Sequence, residues 1–129
     1  MPDMNTIKSN LNRPERRKYM RHNGGILQLC IRRKGLLHSF GKGEHAEWLN
    51  FNEFGMAFSC ETRFQINETI IIDIKTPNTT ANDIVAVIHN ARRQAGLCRY
   101  GVQFYFGANS YMRSTEIKDK LLRIEAELE

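Results

Sequence analysis

No stretch of this 129-residue chain stays apolar for the ~20 residues that a membrane-spanning helix requires. Its first residues, Met1-Pro2-Asp3-Met4-Asn5, lack the apolar segment of a secretory leader. Cysteine is scarce: Cys30, Cys60 and Cys98 are odd in number and widely spaced, which fits neither a disulfide framework nor a zinc motif. Each lies in or beside an apolar or alternating run, so free buried thiols in a reducing, cytoplasmic compartment are expected. The histidines, His22, His38, His45 and His89, share no ligand-like spacing, and no metal is expected. No glycine-rich phosphate loop and no nucleophile–base pattern is visible, so nothing argues for an enzyme. Repeats and low-complexity segments are missing too. What remains is the length of one ordinary domain, with a 41% hydrophobic content sufficient for a folded core.

The net charge of +5 is unevenly spread. Residues 1 to 35 hold nine basic groups (Lys8, Arg13, Arg16, Arg17, Lys18, Arg21, Arg32, Arg33, Lys34) against Asp3 and Glu15, a net of +7. The remainder holds ten basic and twelve acidic residues, a net of −2. A potential concentrated in this way draws an anionic partner to one end of the molecule.

Residues 1–22 are polar and read as a basic arm, with one short helical turn near Arg13–Lys18. Asn23-Gly24-Gly25 is a turn signal. Strands are expected at Ile26–Ile31, Glu44–Phe51, Met56–Cys60, Thr69–Ile74, Asp83–His89 and Tyr100–Phe106. Turn residues separate them, which indicates an antiparallel barrel or sandwich rather than βαβ units. Residues 23–107 would form this body. Residues 108–129 change period: Ile117, Leu121, Ile124 and Leu128 make one apolar stripe on a helix that begins near Asn109-Ser110. Packing of that stripe on the barrel is expected, with self-association as the alternative.

Two segments carry chemistry. Arg16-Arg17-Lys18-Tyr19-Met20-Arg21 supplies guanidinium forks, which grip phosphate or the O6/N7 edge of guanine and stack on flat rings. Asn50-Phe51-Asn52-Glu53-Phe54-Gly55 lies between two expected strands. There Asn50 and Asn52 alternate onto one face, and Gly55 supplies a positive φ or a close backbone approach. Taken alone, the first reads as a solvated face and the second as a hairpin turn. The glutamates Glu44, Glu47, Glu53 and Glu61 read as solvated charges, Trp48 as a barrel core or edge residue, and Arg92, Arg93 and Arg99 as surface charge flanking a hairpin, with lining of a ligand as the alternative.

An Arg-x-x-x-Arg arm ahead of a six-strand antiparallel pattern, followed about thirty residues later by Asn-x-Asn-x-x-Gly, resembles the PilZ domain family. That family carries R-x-x-x-R before its first strand and [D/N]-x-S-x-x-G between its second and third. Tyr100-Gly101-Val102-Gln103-Phe104 is similar to the ending of the family's last barrel strand. The resemblance covers roughly Pro14 to Phe106. It implies a six-stranded antiparallel Greek-key barrel with an N-terminal arm and a C-terminal helix. It also implies a cytoplasmic receptor or adaptor that binds cyclic di-GMP and signals to a protein partner.

By position, Arg17 and Arg21 match the arginines that grip the ligand's phosphates and guanine edges. Asn50 matches the residue on a guanine, and Gly55 matches the turn glycine. Asn52 stands where the family has serine, and Arg16 stands where an arginine is associated with an intercalated ligand dimer. Two other classes remain: a PilZ-like adaptor that binds protein partners only, and a small basic barrel for single-stranded nucleic acid. The last wants aromatics spread over an open sheet face, whereas here the basic residues gather on one arm; nucleic acid is therefore not expected as a partner.

Overall fold

The computed structural model describes residues 27–35 and 43–129. The basic arm, with Arg16, Arg17, Arg21 and the turn proposed near Arg13–Lys18, lies outside the described residues, as does Asn23-Gly24-Gly25. Alternation of apolar and polar residues produces six strands in the described chain: β1 (Gln28–Arg33), β2 (Glu44–Asn52), β3 (Gly55–Cys60), β4 (Thr69–Lys75), β5 (Thr80–Gln94) and β6 (Leu97–Phe104). In β1, Leu29 and Ile31 point inward between half-exposed neighbours. In β4, Ile70, Ile72 and Ile74 also point inward, and Ile71 between the first two is buried as well.

All neighbouring strands run antiparallel and close in the order β1-β2-β3-β6-β5-β4. β1 to β3 form a meander, and β4 returns to lie beside β1, which is the Greek-key order. Closure pairs the ladder groups that a sheet edge would leave open. The chain therefore forms the expected six-stranded antiparallel barrel with one C-terminal helix.

Strand bounds differ from expectation mainly in β5, which starts three residues earlier than Asp83 and ends five later than His89. Residues 90–94 are exposed and, Ala91 apart, polar, and carry no apolar alternation; pairing with β6 alone makes them a strand. β6 starts and stops earlier than expected, and Phe106 falls in a short 3-10 turn at Phe106–Ala108.

The helix α1 spans Thr115–Leu128, so its start lies about five residues beyond Asn109-Ser110. Asn109 instead closes a turn, its Oδ1 accepting from Met112 N at 2.8 Å. The cap is Ser114, extended at φ −73° and ψ 153°, whose Oγ accepts from Ile117 N at 3.3 Å. The stripe behaves as expected: Ile117, Leu121, Ile124 and Leu128 are all buried in one core with the barrel side chains. Glu127 ties the same helix to the β4–β5 turn, accepting from Thr79 Oγ1 at 2.7 Å and Thr76 Oγ1 at 2.9 Å.

Trp48 is core, as expected. Glu44 is not a solvated charge: its Oε2 accepts from the backbone N–H groups of Glu61 (2.9 Å) and Thr62 (3.3 Å), which locks the loop after β3. The three thiols are free; Cys60 and Cys98 are buried and Cys30 is half-buried. Cys60 and Cys98 prove to be register partners across β3 and β6.

Candidate functional site

Side chains alternate between the two faces of a strand, so a single extra residue reverses every residue beyond it. Of three such slips among the described strands, those in β2–β3 and β5–β6 shape the outer face around Asn50. In β2 the register slips at Leu49, so that Trp48 faces Phe58 inside while Asn50 faces Ala57 outside. In β5 it slips at His89, so that Ile88 faces Val102 inside while Asn90 and Arg92 face Gly101 and Arg99 outside. Without the slips, Asn50 would share the inner face with Trp48, and Arg92 would share it with Ile88. Bulges commonly re-aim side chains in this way.

Four strands then present one continuous row, Asn50–Ala57–Gly101–Asn90, across β2, β3, β6 and β5. Three interstrand steps make it ~14 Å wide. Its middle is built of small residues. Together with Gly55, Ala57 and Gly101 floor an open trough of about 720 Å³, within the usual range of ligand sites. Asn50, Asn52 and Phe54 wall one side; His89, Asn90, Arg92, Arg99 and Gln103 wall the other. No carboxylate lines it among the described residues.

Local chemistry explains each motif position. Asn52 Oδ1 accepts from the backbone N–H groups of Phe54 (2.7 Å) and Gly55 (3.1 Å), which holds the β2–β3 turn and leaves its amide nitrogen available. Of the two roles expected of Gly55, close approach is the one found. A Cβ there would lie 2.3 Å from Val102 O, and Gly55 is not among the residues with positive φ. Asn50 is half-buried, its amide on the trough. On the opposite wall, His89 Nε2 donates to Gln103 Oε1 at 2.6 Å and ties the bulge residue to β6. Phe54 is 63% exposed at the rim, an unusual setting for a phenyl ring.

Of the six residues expected at the site, Asn50, Asn52 and Gly55 therefore come together on one trough, and Arg16, Arg17 and Arg21 lie outside the described residues. The start of β1 is placed relative to Asn50 and Asn52. Leu29 pairs with Ala46, and the strands are antiparallel, so the chain enters β1 at the barrel end where β2 carries Asn50 and Asn52.

Arg92 and Arg99, read from sequence as surface charge, belong to the trough. A signal for them existed. Ala95-Gly96 is a two-residue hairpin loop, with φ of 49° and 83°, and such a loop sets Gln94 opposite Leu97 and hence Arg92 opposite Arg99. The bulge at His89, which turns this pair onto the face of Asn50, left no such trace. Comparison with known proteins returns no match, either to a family model or to a curated protein.

Proposed function

We propose that the chain is a cytoplasmic PilZ-type receptor for cyclic di-GMP, which changes its surface on binding the nucleotide and acts on a protein partner. One observation carries this reading: Asn50, Asn52 and Gly55 meet on an outer trough that no carboxylate lines among the described residues, at the barrel end where β1 begins. A flat ring with polar edges suits a floor of small residues flanked by amides, since Asn50 offers a donor and an acceptor to a base edge and Asn52 its amide N–H groups. The phosphates suit Arg17 and Arg21, whose planar forks bind oxyanions in pairs of hydrogen bonds.

Calorimetric titration of the full chain with cyclic di-GMP tests the proposal. Each charge-assisted hydrogen bond is worth roughly 1.5–3 kcal/mol. Arg17→Ala or Arg21→Ala should therefore weaken binding by about tenfold to over a hundredfold, because about 1.4 kcal/mol is a factor of ten. Lys8→Ala, outside the motif, should cost well under about tenfold through screened attraction alone. Wild-type affinity in Arg21→Ala, or no binding by the wild type at tens of micromolar ligand, refutes it.

A second reading has its own support. Asn52 commits its carbonyl oxygen to the turn, which leaves a ligand only the amide N–H donors. This favours an adaptor that keeps the barrel, has given up the nucleotide and binds protein alone. The same titration separates the two.

A further inference from the structure

Arg92 and Arg99 are register partners on the outer face of β5 and β6, both exposed. Like charges directly opposite each other destabilise a ladder. The barrel shows how it treats arginines held for structure: Arg32 pairs with Asp73 at 2.6 Å, and Arg33 pairs with Glu68 at 2.6 Å. Among the described residues, no carboxylate pairs with Arg92 or Arg99. A register slip points Arg92 into the trough beside Arg99, with Gly101 next to them in the floor. Two forks on facing register positions, turned to a hollow and paired with no carboxylate among the described residues, suit an oxyanion.

The far end of the trough indicates what that oxyanion belongs to. Phe54 stands at the rim beside Gly55, whose register partner is Gln103. Gln103 lies four residue steps along the strand from Arg99, or ~13 Å at ~3.3 Å per residue. A group with charge at one end and a flat ring at the other fits this arrangement, because an exposed phenyl face stacks on any nucleobase.

We propose that Arg92 and Arg99 jointly hold a phosphate of a nucleotide whose base reaches toward Phe54. The barrel wall thereby supplies a phosphate clamp independent of the N-terminal arm. The clamp rests on the receptor reading for the identity of the nucleotide, but not for the anion itself. A bound phosphate bridges the two guanidinium groups with charge-assisted hydrogen bonds and removes their mutual repulsion.

The test uses the full chain as wild type, Arg92→Glu and Arg93→Glu. Arg93 pairs with Cys98, on the opposite face from Arg92, so its substitution changes net charge equally and leaves the clamp alone. Two titrations are read: calorimetry with cyclic di-GMP, and backbone amide shifts with sodium pyrophosphate. Arg92→Glu should lose about tenfold or more in nucleotide affinity. It should also lose the pyrophosphate shifts of residues 90–101. Its melting temperature should equal or exceed that of wild type, because an opposite-charge pair replaces a like-charge one. Arg93→Glu should stay within about threefold of wild type, as expected of screened attraction.

Unchanged affinity in Arg92→Glu, or an equal loss in Arg93→Glu, overturns the clamp while the receptor reading stands. A wild type that ignores cyclic di-GMP but shows pyrophosphate shifts abolished by Arg92→Glu supports the clamp and removes the receptor reading. Silence of residues 90–101 toward both ligands overturns the clamp.

Discussion

Tyr100 joins two parts of the molecule through one oxygen. Its hydroxyl donates to Thr62 O at 2.9 Å and accepts from Phe64 N at 2.7 Å, which fastens the loop after β3 to β6. Its ring packs against Phe58 and Phe64 at centroid distances of 5.6 and 5.5 Å. Tyr100→Phe keeps the rings but leaves the buried Phe64 N–H without an acceptor, so it should cost about 1–3 kcal/mol in denaturant unfolding. Burial pushes the Tyr100 phenol up from 10.0 to about 12 and the Cys60 thiol up from 9.0 to about 12. Both groups hold their proton more tightly folded than unfolded. Their contribution is complete below the unfolded values and is lost as pH rises through the folded ones. The melting temperature should therefore fall progressively as pH rises from about 9 to 12, and a Cys60→Ala/Tyr100→Phe double variant should flatten that fall. A pH-independent melting temperature over that range would contradict the burial of both groups.

At the scale of elements, the β5–β6 hairpin combines a favourable register with an unfavourable turn residue. Ala95 holds φ 49°, the left-handed region that a side chain with Cβ resists and that asparagine tolerates. Ala95→Asn should stabilise the fold by about 0.5–1 kcal/mol, seen as a higher urea midpoint at unchanged slope. No gain would mean that the loop has another conformation in solution. A hairpin between Arg93 and Arg99 was legible in the sequence, and its turn type and the strand character of 90–94 were not, because exposed residues without apolar alternation have no preference that survives without a partner strand. The helix start was misread for a related reason. Asn109 is a good cap type, but it closes a turn, and Ser114 takes the cap because Ile117 must reach the core.

At the scale of the molecule, barrel and helix share one core. Ile117, Leu121, Ile124 and Leu128 bury against residues of the barrel rather than awaiting a second chain. Leu121 is 1% exposed, and a carboxylate there has neither water nor a partner. Leu121→Asp should therefore unfold the chain, with loss of the folded signal in circular dichroism. Leu121→Ala should remain folded but weaker by about 2–5 kcal/mol. Sedimentation that shows Leu121→Asp as a well-folded monomer derived from a wild-type dimer would refute barrel packing. Glu127 closes the same junction. Burial would raise its pKa, but hydrogen bonds from Thr79, Thr76 and Asn78 outweigh that and hold its carboxyl below the usual range. A lowered folded value means that its contribution is present at neutral pH and fades as pH falls through the acid range. Among the described residues no helix is long and apolar enough to cross a membrane.

Local sequence determined what depends on a few neighbouring residues. Period-two runs marked the strands, Asn52 and Gly55 marked the tight β2–β3 turn, and the spacing of Ile117 to Leu128 marked a one-faced helix. Tertiary structure alone decided which faces meet. The slips at Leu49 and His89 reverse the phase of two strands, and long-range pairing then sets Arg92 and Arg99 across the same trough as Asn50, Cys60 opposite Cys98, and Glu44 under the loop at Thr62. A bulge is one residue whose position is settled by the pairing of whole strands, Trp48 with Phe58 and Ile88 with Val102, and the residue itself carries no local period that marks it.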